Sequence, residues 1–340
     1  MAQQVKWWEG DKQKRVLAPM VGICFSSYRT MCLEHGADAV FTEELISKRL
    51  CQCIRVEEDG YVKYKDKDDV MLTLKVSERD KTILQLGTYD VATTVKSVEL
   101  VKEVCGVDIN LGCGMSFSTK GGMGQALVSD RSKLESIIKA LVPLGQPISC
   151  KIRLQNTSEE TVSFIQWLYS LGVCMITLHG RKHGQLYDFD CDWDELIKVS
   201  NTITSPLFIN GDLCCQSDFD KFAPDKTKNV KGFLLGRGAA ANIDIFQQDQ
   251  RCDYKFDFEK TQLTLLDFIN RATLEKLSFK KTKFVAMQIV KYNMEMPSGR
   301  WRKQKTPKEL VALNASLSKS KSFDELLRVF AFQNNKKTSN

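Results

Sequence analysis

Cys113 stands between two glycines in Asn110-Leu111-Gly112-Cys113-Gly114, directly after the apolar run Gly106-Val107-Asp108-Ile109. Glycines let the backbone turn sharply and let a ligand come close. Most free cysteines are small buried hydrophobes. A thiol on a glycine-bounded loop is instead set at the mouth of a site. A second glycine-rich stretch, Ser118-Thr119-Lys120-Gly121-Gly122-Met123-Gly124, follows closely.

Other polar groups recur at the ends of apolar runs. Lys151 lies inside Ile148-Ser149-Cys150-Lys151-Ile152, and lysine is almost never fully buried without a partner. His179 by itself reads as a satisfied core histidine. It gains meaning from the company of Pro19-Met20-Val21, Thr42-Glu43-Glu44, Gln85, Asn110, Arg153, Arg181, Asn210-Gly211-Asp212 and Gly236-Arg237-Gly238 at equivalent places. Together they predict a ring of ligand contacts. Glycines beside Arg237 suit a phosphate bound through backbone amides. A cation near a ring system favours an anionic reduced state, so a flavin fits. Metal ligation is poorly supported: there is no Cys-x-x-Cys pair, and only 3 histidines.

The runs that must carry these residues are eight: 16–18, 39–41, 83–86, 107–109, 148–152, 175–178, 207–209 and 232–235. They are short and apolar, as parallel strands buried on both faces are. Amphipathic stretches such as 134–141 and 162–171 lie between them. This rhythm predicts an α/β fold, a TIM (β/α)8 barrel with its site at the strand C-termini. A doubly wound open sheet is the alternative, but the first strand-to-helix turn lacks a glycine-rich dinucleotide fingerprint. Residues 51–79 read as a hairpin excursion. Beyond about residue 250 the period becomes helical, over 263–277, 285–294, 307–317 and 323–330. The expected organisation is a catalytic barrel over 1–250, a small all-helical domain over 251–333, and a disordered tail over 334–340.

Of the 340 residues, 43% are hydrophobic and 27% charged, ordinary values for a globular protein. No apolar run approaches the roughly 18 to 20 residues of a membrane span, and the polar N-terminus lacks the apolar stretch of a secretory signal. A cytoplasmic or nuclear monomer with reduced thiols among its 12 cysteines is expected. The net charge of +7 is uneven: residues 251–340 hold 19 Lys+Arg against 9 Asp+Glu, a balance of +10. A basic module on a near-neutral one points to a polyanion such as nucleic acid. Candidate phosphate contacts there are Lys280, Lys281, Lys283, Arg300, Arg302, Lys303 and Lys305, with Trp301 placed to stack or to pack.

Ala18-Pro19-Met20, Thr42-Glu43-Glu44, the Asn-x-Gly-Cys loop, the Ser118–Gly124 stretch, Cys150-Lys151-Ile152-Arg153, His179-Gly180-Arg181, Asn210-Gly211 and Gly236-Arg237 resemble, in order and spacing, the tRNA-dihydrouridine synthases. The Ser118–Gly124 stretch looks most like the eukaryotic dihydrouridine synthase 2 branch, which acts at position 20. The resemblance implies an FMN-dependent oxidoreductase that reduces a D-loop uridine of tRNA to 5,6-dihydrouridine, with NADPH as electron donor. It implies that Pro19, Met20, Val21, Gln85, Lys151, His179, Asn210, Gly211, Asp212, Gly236 and Arg237 bind FMN. It makes Cys113 the catalytic acid and sets Asn110, Arg153 and Arg181 toward the substrate. Hydride from flavin N5 would enter uracil at C6. C5 then needs a proton, which an ordinary thiol, mostly protonated near neutral pH, can give. The base must leave its stack to lie on the flavin.

Two positions depart from the family pattern. Gly114 replaces the usual proline after the cysteine, which predicts a looser loop. Asp212 replaces the second glycine of Asn-Gly-Gly, and its charge would repel a phosphate unless it points away. Two other readings stay open on the sequence: an FMN barrel reducing a free pyrimidine, which would need no basic module, and a non-catalytic tRNA-binding relative.

Overall fold

The computed structural model describes residues 8–10, 12–67, 69–186, 188–247, 256–294 and 307–334. Twelve strands occur, β1 (Lys14–Leu17), β2 (Ala39–Phe41), β3 (Leu45–Ile46), β4 (Ile54–Glu58), β5 (Tyr61–Asp66), β6 (Asp69–Lys75), β7 (Thr82–Gly87), β8 (Gly106–Asn110), β9 (Ile148–Leu154), β10 (Met175–Lys182), β11 (Leu207–Asn210) and β12 (Val230–Leu235). The order β2-β1-β12-β11-β10-β9-β8-β7, closed by a β2–β7 pairing, is an all-parallel eight-strand barrel, with the two-residue β3 as a second partner of β7. The expected TIM barrel is therefore the fold, and each expected strand is present.

Alternation along the strands divides the core. Val16, Ala18, Phe41, Ile83, Met175, Phe208 and Leu234 form one apolar cluster with Trp8, filling the barrel interior as inward residues do in such folds. Their neighbours, such as Leu17, Val40, Leu84, Ile152 and Ile209, join a larger cluster beneath the helices.

The helices are α1 (Ser26–Glu34), α2 (Ser47–Leu50), α3 (Val91–Leu100), α4 (Ser116–Thr119), α5 (Gln125–Ser129), α6 (Arg131–Leu141), α7 (Ser158–Ser170), α8 (Trp193–Thr202), α9 (Gln216–Phe219) and α10 (Arg237–Ala241) around the barrel, then α11 (Phe258–Leu274), α12 (Phe279–Met294), α13 (Lys308–Lys319) and α14 (Phe323–Asn334). Helix α6 shows the local logic. Asp130 caps it by accepting the Lys133 amide, and Leu134, Ile137, Ile138 and Leu141 form its buried stripe. Helix α11 starts in the same way, with Asp257 accepting the Lys260 amide. It stops short of the expected Leu277 because Lys276 takes a left-handed φ of 61°, which no helix interior accommodates.

The excursion between β3 and β7 is a three-stranded antiparallel sheet, β4-β5-β6, one strand more than a hairpin. It is tied to α1 by the buried Arg29–Glu78 ion pair at 2.8 Å. The C-terminal helices do not stand apart from the barrel. Phe268 of α11 meets Tyr28 of α1 edge-on, ring centres 6.3 Å apart, and Phe268, Ile269, Val285 and Ile289 belong to the same apolar cluster as the barrel's outer residues. The disordered tail expected from residue 334 lies, beyond Asn334 itself, outside the described residues.

Candidate active site

Parallel register brings the polar strand ends side by side. Asn110 pairs with Lys151 between β8 and β9, and His179 pairs with Arg153 on one side and Asn210 on the other. Strands β9 and β10 run further than their apolar cores suggest, so Arg153, His179 and Arg181 lie within strands rather than beyond them. The ends surround a cavity of about 460 Å³. Pro19, Met20, Val21, Gln85, Asn110, Cys113, Lys151, Arg153, His179, Asn210, Gly211, Asp212, Gly236 and Arg237 all line it.

The thiol loop is held by a directed chain of hydrogen bonds. Asp108, fully buried, accepts from Gln85 Nε2 at 2.8 Å and from Ser149 Oγ at 2.7 Å. Gln85 Oε1 then accepts from Asn110 Nδ2 at 3.3 Å. Asn110 Oδ1 is thereby left to accept the amides of Gly112 and Cys113, at 3.0 and 2.9 Å. From the other side the Cys113 carbonyl takes the Gln125 amide at 2.9 Å, and the Gly112 carbonyl takes Gln125 Nε2 and Arg153 Nε. At Gly114, where a looser loop is expected, a Cβ would meet the Gln125 side-chain amide at 3.1 Å, and that same amide donates to the Gly112 carbonyl.

Electrostatics in the cavity follow from burial. Desolvation pushes the Lys151 ammonium down to about 8. It holds the His179 imidazole well below its ordinary value, with Lys151 and Arg153 adding to the effect, so the ring is neutral at pH 7. The buried His179 Nδ1 has no hydrogen-bond partner among the described residues. Asp108 is raised to about 6, also by burial. Burial likewise raises the Cys113 thiol, and the Glu44 carboxyl adds to the rise. An unsatisfied imidazole nitrogen and a strained cation on one apolar-floored wall fit a polar, electron-rich ring bound against them.

One expected site residue lies elsewhere. Arg181 does not line the cavity. It is 0% exposed, and its guanidinium holds both Asp212 oxygens at 2.9 and 2.7 Å while Nε donates to the Phe189 carbonyl. In this arrangement its guanidinium is engaged by Asp212, the Cys191 sulfur and the Phe189 carbonyl. The same contact answers the difficulty at Asp212. Its backbone adopts a left-handed φ of 55°, and its carboxylate is turned to Arg181 and to Arg237, 2.8 Å away, so its charge at the cavity wall is met by two guanidinium groups.

Among the lining residues given no role from the sequence are Glu44, Met115 and Tyr292. Glu44 follows β2 and was visible only as part of a polar strand end. Met115 follows the thiol loop. Tyr292 comes from α12, and nothing in its local pattern distinguishes it from a packing residue. In the basic module, Lys281 reaches Asp69 at 3.2 Å and Lys283 donates to the carbonyls of Ser318 and Ser320, so both are engaged within the chain. Arg300, Trp301, Arg302, Lys303 and Lys305 lie outside the described residues.

A closed parallel barrel with a thiol, an ammonium and a neutral imidazole around one cavity at its strand ends defines a barrel enzyme with a cofactor-sized site. The chain belongs to the dihydrouridine synthase (Dus) family, which it matches over residues 16–332. It is 30% identical over 300 residues to the tRNA-dihydrouridine(20) synthase (NAD(P)+) of Saccharomyces cerevisiae, covering 82% of this chain and 77% of that protein. It is 31% identical over 255 residues to the enzyme of the same name from Schizosaccharomyces pombe, covering 69% of this chain and 52% of that protein. Among solved structures, a 2-naphthoyl-CoA reductase is remotely similar, with a TM-score of 0.47 and 11% identity over 69% of this chain and 49% of that one. No helix among the described residues is long and apolar enough to cross a membrane.

Proposed function

We propose that this chain reduces a uridine of tRNA to 5,6-dihydrouridine with a bound flavin and an NAD(P)H-type donor. The observation that carries the reading is Cys113. Its loop is locked onto Asn110, and its thiol opens into the cavity that Lys151 and His179 also line. We take the flavin to be FMN, the donor to be NADPH, and the target to be the D-loop uridine at position 20, in keeping with the similarity to the two yeast enzymes.

The residues that would hold FMN are Pro19, Met20, Val21, Gln85, Lys151, His179, Asn210, Gly211, Gly236 and Arg237. When bound, the flavin supplies a hydride to the uracil ring at C6. Lys151 would supply a positive charge to the bound flavin, and an anionic form of it would restore the lysine's own protonation. His179, neutral, offers Nδ1 to the same ring. Asp212 acts through Arg237, whose guanidinium it orients. Cys113 gives the proton that C5 requires, its raised pKa keeping the thiol protonated at neutral pH. Asn110 fixes the loop, and Arg153, which also anchors the Gly112 carbonyl, borders the space for the base. Arg181 serves the site as the partner of Asp212.

In this reading residues 1–250 form the catalytic barrel and residues 251–333 the tRNA-gripping module, its net charge of +10 over 251–340 favouring the phosphate backbone. The protein would work as a monomer in the cytoplasm or nucleus.

The test is mass spectrometry of tRNA from cells lacking this chain, complemented with wild type or with Cys113→Ala. One missing dihydrouridine, restored by wild type and not by the variant, is expected. A full complement of dihydrouridine without the chain refutes the proposal.

A further inference from the structure

Glu44 lies in the turn between β2 and β3 and borders the cavity, 7% exposed. Its Oε1 accepts a hydrogen bond from Ser118 Oγ at 3.2 Å. The neighbouring backbone is shaped around this carboxyl: a Cβ on Gly87, at the end of β7, would meet Oε1 at 2.5 Å, a separation real Cβ atoms do not show. Gly124, with a left-handed φ of 59°, does the same on the far side. A Cβ there would collide with both the Cys113 carbonyl and Ser118 Oγ. Two glycines thus let a carboxyl, a hydroxyl and the Cys113 thiol converge.

The same cavity also carries the reverse charge. Lys151 and Arg153 project from β9 into the same cavity, with the buried Asp108 behind Lys151. Cations beside a cysteine stabilise the thiolate, which cannot donate a proton. Cys113, Glu44 and Lys151 line this one cavity, and the Cβ position at Gly124 lies 2.7 Å from the Ser118 Oγ that is bonded to Glu44 and 3.1 Å from the Cys113 Cβ. Burial raises the thiol most, and the Glu44 charge raises it further. Burial also raises Glu44 itself, against the pull of Cys113, Ser118 and Lys151.

We propose that Glu44 is a positioning residue that keeps the Cys113 thiol protonated in a cavity whose cations, Lys151 and Arg153, favour the thiolate. The catalytic consequence rests on the reading of Cys113 as the acid; the thiol's protonation state does not, and can be measured separately.

The experiment is pH-dependent alkylation of Cys113 by iodoacetamide in the flavin-loaded full chain, followed on the Cys113 peptide by mass spectrometry, for wild type and Glu44→Gln. The midpoint should fall by about one pH unit in the variant, giving about tenfold more thiolate at neutral pH. The high-pH limit of dihydrouridine formation should move down by the same amount. A midpoint that stays or rises in a variant that keeps its flavin overturns the proposal. Should Glu44→Gln fail to fold, Glu44→Asp, which withdraws the carboxyl by one methylene, should shift the midpoint in the same direction by less, and an unmoved midpoint there is equally fatal. If Cys113→Ala retains full turnover, the acid assignment fails while the alkylation result still decides the role of Glu44.

Discussion

Asn110 accepts the backbone amide of Cys113 on the same side-chain oxygen that accepts the amide of Gly112. Its orientation is set from behind. Asp108 is an acceptor only, so Gln85 must present its amino group to it and its carbonyl to Asn110. Asn110 must then turn its own oxygen to the loop. A charge buried in the barrel wall thereby fixes where a thiol stands at the mouth.

Replacing Asn110 with Ala should leave the loop amides without their acceptor and reduce the rate of uridine reduction. Losing one to two net hydrogen bonds, about 1–3 kcal/mol, corresponds to a fall of about 5- to 150-fold if it is felt in the reacting geometry. Single-turnover assays with saturating tRNA would measure it, with flavin content checked by absorbance. A rate within twofold of wild type would show that the loop holds its place without Asn110.

Lys151 makes a stability prediction with a definite sign. Its folded pKa of about 8 lies below the ordinary lysine value, so the folded state binds the proton less well than the unfolded one. The flavin-free protein therefore carries a penalty that is full below about pH 8 and relieved as pH rises toward about 10.4. Lys151→Met, stripped of flavin, should be more stable than flavin-free wild type at pH 7 by about 2–3 kcal/mol. That difference should shrink from pH 8 to 10. Urea unfolding at several pH values is the measurement.

At the Arg181–Asp212 pair, removal of one partner strands the other. Asp212→Ala should cost about 3–5 kcal/mol, because Arg181 is left as an uncompensated buried charge. Asp212→Asn keeps an acceptor and tolerates the left-handed backbone, so its loss should be smaller. Both should also weaken flavin retention, since Arg237 loses its tether. Equal unfolding midpoints for the two variants would contradict this account.

The basic helices offer a contrast between two neighbouring lysines. Lys280 is exposed, whereas Lys283 secures the end of α13. Lys280→Ala should weaken tRNA binding and lower the slope of log affinity against log salt by about one, without changing stability. Lys283→Ala should instead cost about 1 kcal/mol of stability and leave the salt slope unaltered. Fluorescence anisotropy titrations over a salt series, beside thermal melts, separate the two.

The eight strands and the helical C-terminal segment were legible in the chain itself, as were many of the residues that line the cavity. Parallel strands buried on both faces announce themselves as short apolar runs, and a polar residue ending such a run can hardly point anywhere but to a ligand or a partner. Which of those two it serves is another matter. Arg181 follows His179 at the end of the same run, yet one faces the cavity and the other Asp212. The two are separated by one residue, so simple alternation would put both on one face; the shift of register between His179 and Lys182, where β10 pairs with β9, shows only in the assembled barrel. Gln125, Glu44 and Tyr292 reach the site from a loop helix, a strand turn and a C-terminal helix, through contacts that local periodicity does not encode. The sequence determined the barrel, the thiol and the cations. The tertiary structure decided that Asn110, Gln125 and Arg153 hold the thiol loop, that Asp212 pairs with two arginines, and that a buried carboxyl lines the cavity with Cys113, because each depends on distances between residues far apart in the chain.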